Sequence, residues 1–153
     1  AMDALVQVWQ SIATRDEKGV RVNFLFSKTM DDLEIRSDLP VRGRVEIDLK
    51  QPADLYVRIP KYAVPETLRL TVEGTEFPRQ RVGNYLWVPK QSGRSTVVVE
   101  FKQQIRQETE TIAGTAYQVE WLGDTVWNIT PAGKYAPLYY PARLVMYGYP
   151  YSP

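Results

Sequence analysis

The 153-residue chain contains neither cysteine nor histidine. These two absences exclude, within these residues, a disulfide framework, a thiolate nucleophile, zinc held by the usual nitrogen and sulfur ligands, and a Ser-His-Asp triad. Carboxylate chemistry remains available. An excess of one charge is missing too: 19 Lys and Arg stand against 18 Asp and Glu, a net charge of +1, and the signs alternate along the chain. A nucleic-acid reader needs a basic stripe, so no nucleic-acid partner is expected. No run of eighteen apolar residues and no basic-then-apolar leader occurs, so no membrane partner is expected either. The lack of disulfides suits the cytoplasm, but a core of this size does not need them, and export is equally compatible. There is no internal repeat and no low-complexity tract.

What the chain does have is alternation. Val20/Val22/Phe24/Phe26, Leu33/Ile35, Val45/Ile47/Leu49 and Leu55/Val57/Ile59 each place apolar side chains on one face of a strand. Arg21/Asn23, Asp32/Glu34/Arg36, Arg44/Glu46/Asp48 and Asp54/Arg58 fall on the other face. Period two over four successive segments predicts strands with one dry and one charged face. Met30-Asp31, Pro40 to Gly43 and Gln51 to Ala53 interrupt them with turn residues, as reversal into an antiparallel neighbour requires.

Beyond Pro60 the chain connects through a turn at Pro65, and Leu68/Leu70/Val72 resumes alternation up to Gly74. Phe77 to Asn84 reads as polar and irregular. Tyr85 to Val88 and Thr96 to Phe101 are expected as an antiparallel pair joined across Gln91 to Arg94. Glu108 to Ala113, Tyr117 to Leu122, Val126 to Thr130 and Tyr135 to Tyr140 supply further strands, with Gly123-Asp124 a two-residue hairpin turn. Ten to twelve short strands imply an all-β fold, a two-sheet antiparallel β-sandwich of jelly-roll type.

The wording of these strands resembles a known module. "VRVNFLFSK", "DDLEIRSDLP", "GRVEIDLK" and "ADLYVRIP", between Val20 and Pro60, are similar to the β-sandwich region that follows the catalytic barrel in glycoside hydrolase family 127, the β-L-arabinofuranosidase-like proteins. "GDTVWNITPAGKYAPLYYP", Gly123 to Pro141, resembles the closing strand pair of that region. The resemblance implies a non-catalytic accessory domain of a larger glycoside-hydrolase-like protein, whose partner is the catalytic domain of the same parent chain. It further implies that the chemistry lies in a separate helical barrel, with cysteines and a glutamate around a metal. None of that barrel is present in these residues, so no metal and no cofactor is expected here.

The N-terminal segment differs in period. Leu5, Val8, Trp9 and Ile12 recur at helical spacing, and Asp3 can cap the start, which predicts a short helix. A strand is the competing reading, since Leu5 to Trp9 also alternates in part. Residues 1–19 are therefore read as a connector, with Ala1 before Met2 an expression remnant, residues 20–142 as the sandwich and 143–153 as a tail rich in Tyr and Pro. Cut from a larger enzyme, the stripe Leu5, Val8, Trp9 and Ile12 loses its partner and becomes an interface, either against the sandwich edge or in self-association.

Four tryptophans and ten tyrosines in an all-β chain raise the question of glycan binding, because aromatic faces stack on the apolar faces of sugar rings. Trp87, Trp121, Tyr85 and Tyr117 are the candidates, since they sit on expected strands where a flat platform can form. Packing between sheets is the alternative for all four. The acidic pairs Asp31/Asp32, Glu46/Asp48 and Glu108/Glu110 lie on turns or polar strand faces beside Arg and Lys, and read as solvated charge rather than the two carboxylates of a glycosidase. No loop concentrates Asp, Asn and Gly as a structural calcium site would. Asn128-Ile129-Thr130 matches an N-glycosylation acceptor, but it lies in an expected strand and precedes Pro131.

Overall fold

The computed structural model describes residues 2–131. The strand expected at Tyr135 to Tyr140 and the 143–153 tail lie outside them. Two compact units divide between Lys102 and Gln103, so the span 20–142 read as one sandwich includes residues of both.

The first unit begins with helix α1, Met2–Ser11, followed by strands β1 (Ala13–Asp16), β2 (Gly19–Val22), β3 (Lys28–Thr29), β4 (Leu33–Ser37), β5 (Arg44–Leu49) and β6 (Leu55–Arg58). A single 3-10 turn at Pro65–Thr67 precedes β7 (Arg69–Val72), β8 (Thr75–Glu76), β9 (Gln80–Val82), β10 (Tyr85–Val88) and β11 (Ser95–Glu100). These strands form two sheets, of order β1-β2-β6-β10-β9 and β3-β4-β5-β11-β7-β8. One buried cluster joins them: Val22, Leu55, Val57 and Leu86 from the first, and Ile35, Ile47, Leu70 and Val97 from the second. The protein is thus an all-β sandwich with a short N-terminal helix.

Alternation becomes layering directly. Along β5 every second residue of Arg44–Leu49 is buried, and β11 repeats the pattern beside it. Each fully buried Val, Ile or Leu is worth about 1.5–3 kcal/mol over an exposed one, so the inward faces fix the register.

Pairing departs from the expected hairpin order in three places. Gln51 to Ala53, read as a reversal into an antiparallel neighbour, instead carries the chain from β5 in the second sheet to β6 in the first, and the two strands do not pair. The Val20 to Phe26 segment is not one strand. It breaks after Val22, and Phe26 ends 56% exposed rather than on the dry face, because the chain crosses there from the first sheet to β3 of the second. As a result β2 runs parallel to β6, with Val20 opposite Leu55 and Val22 opposite Val57, the one parallel pair among the described ladders. Likewise β10 and β11 do not pair: β10 lies between β6 and β9, and β11 lies between β5 and β7 in the other sheet. The segment between them is a crossover, which hairpin reasoning from Gly93 could not reveal. The stretch Phe77 to Asn84, read as irregular, contains the edge strand β9, which folds back on β10.

The segment 1–19 read as a connector contains a tight hairpin arm: Ala13–Asp16 pairs with Gly19–Val22 across Glu17-Lys18. Helix α1 starts at Met2, which places Asp3 within its first turn rather than at the cap, where its charge still complements the helix dipole.

The second unit is a three-stranded antiparallel sheet of β12 (Ile105–Ile112), β13 (Thr115–Leu122) and β14 (Thr125–Thr130). Gly123-Asp124 joins β13 to β14 as a two-residue turn, as expected, and a bulge lies between Glu120 and Trp121. Among its described residues Val119 is the only buried apolar side chain.

Candidate functional site

Two surfaces of the first unit stand out. The first is apolar and belongs to α1. Of the expected stripe, Leu5 is 72% exposed, Trp9 56% and Val8 43%, whereas Ile12 is 1% exposed. The helix ends at Ser11, and Ile12 enters the core just beyond it, its carbonyl accepting from the backbone N–H groups of Asn23 and Phe24 at 2.8 and 3.3 Å. The stripe is therefore split: Ile12 anchors the segment to the sandwich, and the other three residues face outward. With Val6 and Phe26 they line an open cleft of about 450 Å³. Lys28 holds the helix end in place, its Nζ donating to the Trp9 carbonyl at 2.6 Å and lying 5.4 Å from the Trp9 ring centroid.

The second surface is the outer face of the first sheet. Leu55, Val57, Leu86 and Val88 point inward, which turns Tyr56, Arg58, Tyr85 and Trp87 outward. The antiparallel register of β6 and β10 sets Tyr56 opposite Trp87 and Arg58 opposite Tyr85, so the four form a two-by-two patch. Arg21 extends it from β2, its guanidinium 5.1 Å from the Tyr56 ring centroid, and it is ion-paired with Asp16. Gln80 and Val82 flank it on β9. The Tyr85 hydroxyl donates to Asn23 Oδ1 at 2.8 Å, and Asn23 in turn donates to the Ser11 carbonyl and the Thr14 hydroxyl, which ties the patch to the end of α1.

Tyr85 and Trp87 thus lie outside the inter-sheet core. Nε1 of Trp87 is enclosed and has no acceptor among the described residues. Tyr56 was not singled out from the sequence. Its signal was the outward position in Leu55-Tyr56-Val57, but only the cross-strand register brings it to Trp87. The other two aromatic candidates, Tyr117 and Trp121, lie on β13 of the second unit, so the structure does not bring the four together on one sheet. Trp121 carries Arg106 over its ring at 4.6 Å, and its Nε1 is also enclosed without a described acceptor.

The outer face of the second sheet is charged. Arg36 bonds to Glu46, to Asp48 at 2.6 Å and to Glu34 at 3.0 Å, while Arg44 also bonds to Glu46. Hydrogen bonds from Arg36 and Arg44 hold the Glu46 carboxyl below its ordinary range. Partial burial raises Asp48, but the Thr96 hydroxyl at 2.7 Å and Arg36 outweigh it and leave that carboxyl lowered as well. Both are stable carboxylates, poor donors for general-acid work. Asp32 pairs with Arg15 and Glu108 with Arg106. Among the described residues no group of three His, Cys, Asp or Glu could hold a metal ion.

These surfaces belong to a β-sandwich with acids ion-paired to arginines, an exposed apolar patch and a half-buried aromatic one. No family model and no curated protein matches the chain. Solved structures do. The chain is similar to a glycoside hydrolase, with a TM-score of 0.59 and 19% identity, over 80% of this chain and 23% of that one. It is also similar to Ara127N-Se, a GH127 β-L-arabinofuranosidase from Geobacillus stearothermophilus T6, with a TM-score of 0.58 and 14% identity, over 80% of this chain and 22% of that one. The shared feature is the fold, and the chain spans less than a quarter of the length of either relative.

Proposed function

We propose that the chain is a non-catalytic accessory β-sandwich of a larger glycoside-hydrolase-like protein, and that the cleft of α1 packs against the catalytic part of the same parent. One observation carries this reading: four-fifths of the chain shares its fold with under a quarter of each of two glycoside hydrolases. The tethering of Glu46 and Asp48 to arginines supports it, since a glycosidase acid needs a raised pKa rather than a lowered one. Incubating the purified chain with aryl arabinosides, glucosides and galactosides should give no turnover. Hydrolysis that survives repurification and disappears on substituting one carboxylate would overturn the proposal.

The exposed stripe gives a second test. In the isolated chain a second copy can cover Leu5, Val8 and Trp9, so sedimentation should show reversible self-association that Leu5→Asp shifts to monomer. A monomer at every concentration would remove the stripe as an interface of the isolated chain.

A glycan-binding role is the alternative reading, and the placement of Tyr56, Tyr85 and Trp87 outside the core favours it. Tryptophan fluorescence titrated with oligosaccharides tests it, with loss of the response in Trp87→Ala as the expected control.

A further inference from the structure

We infer that the outer face of the first sheet is a subsite for a saccharide that carries a carboxylate, a proposal that rests on the glycan-binding reading and names its ligand class. The patch combines three ring-bearing side chains with a cation. Tyr56 and Trp87 are cross-strand neighbours, Tyr85 and Arg58 the next pair along the same two strands, and all four point away from the core. Because Nε1 is the only polar atom of the indole and is enclosed, what the half-buried Trp87 side chain shows to solvent is ring carbon. Such a surface takes the C–H face of a sugar ring, whereas a hydrogen-bonding polar ligand gains nothing from it.

The charge of the patch selects among sugars. Arg21 is neutralised by Asp16, and the acids of the second sheet are held by Arg36 and Arg44. Arg58 differs: it is exposed, sits beside Tyr85, and its guanidinium forms no ion pair or hydrogen bond with any described residue. A guanidinium with its planar fork unengaged next to aromatic carbon complements a ring bearing a carboxylate, which it can grip with two parallel hydrogen bonds while the ring lies on Trp87 and Tyr56. Neutral sugars would find the same rings but no use for the cation.

Titration of the full chain with a galacturonate trimer and with its fully methyl-esterified form, followed by tryptophan fluorescence and calorimetry, tests the assignment. The acid should bind roughly tenfold or more tightly than the ester, as one charge-assisted pair predicts, and added salt should shrink the difference. Arg58→Gln should bring the acid down to the affinity of the ester and leave the ester unchanged, and Trp87→Ala should weaken both. Unchanged melting temperatures would show that each variant folds. Equal affinity for acid and ester, or no binding of either by the folded protein, would overturn the subsite and leave the accessory-domain reading standing. Hydrolysis of the trimer would instead overturn the accessory-domain reading.

Discussion

At the scale of single residues, the tightest constraint is Gly43. A Cβ there would lie 2.1 Å from the carbonyl oxygen of Phe101, whose N–H donates to the Gly43 carbonyl at 2.8 Å. Backbone rather than a movable side chain blocks the space, so Gly43→Ala should destabilise by about 1–3 kcal/mol or more, measured by urea denaturation. Gly93, with open space around its Cβ position, is the control, and Gly93→Ala should stay within about 0.5 kcal/mol. Arg36 makes a different prediction. Glu46 and Asp48 have lower pKa values folded than unfolded, so their contribution is present above the ordinary carboxylate range and is lost as pH falls through the folded values. Melting temperature should therefore fall as pH drops below about 4.5, and Arg36→Gln should flatten that decline. An equally steep decline in the variant would mean that other carboxylates dominate acid unfolding.

At the scale of elements, α1 separates two kinds of apolar residue that its sequence makes look alike. Ile12→Ala should cost about 2–5 kcal/mol, because that side chain is 1% exposed in the core. Leu5→Asp should leave the melting temperature of dilute protein nearly unchanged, since Leu5 is 72% exposed. Thermal melts of both variants distinguish them. Helical spacing could identify the stripe but not its division, which depends on where the helix stops and which strand receives Ile12. The same limit runs through the sheets. Strands β4, β5, β6, β7 and β11 were legible because their buried residues alternate without exception, as in Val45/Ile47/Leu49. Edge strands β8 and β9 were not, because every residue in them is exposed and an edge has no dry face to pattern. Sheet membership was illegible too: Tyr85-Leu86-Trp87-Val88 and Ser95 to Glu100 are close in sequence with turn residues between them, and nothing local says that the connection crosses layers. For that reason Trp87 and Tyr85 could be named from the sequence, while Tyr56 and Arg58, their partners across β6, could not.

At the scale of the whole molecule, all of the buried cluster that holds the two large sheets together precedes Lys102. A chain ended at Gln104 should keep both sheets and melt within a few degrees of the full chain, as circular dichroism would show; loss of cooperative melting would make the second unit essential to the first. The parallel pair of β2 and β6 has a further effect. Residues 20–22 meet residues 55–57 only after the chain between them has laid β3, β4 and β5 into the opposite layer. Neither layer can close by zipping up neighbours in sequence, so the contact order is high and the entropy of ordering that long excursion falls before the transition state. Refolding from urea should accordingly be slow for a domain of this size, on the order of milliseconds to seconds. Val22→Ala, at the parallel seam, should slow refolding more than an equally destabilising change in β7, whose hairpin with β8 is local. Stopped-flow fluorescence compares the two directly, and equal refolding rates would mean that the seam forms only after the barrier has been crossed.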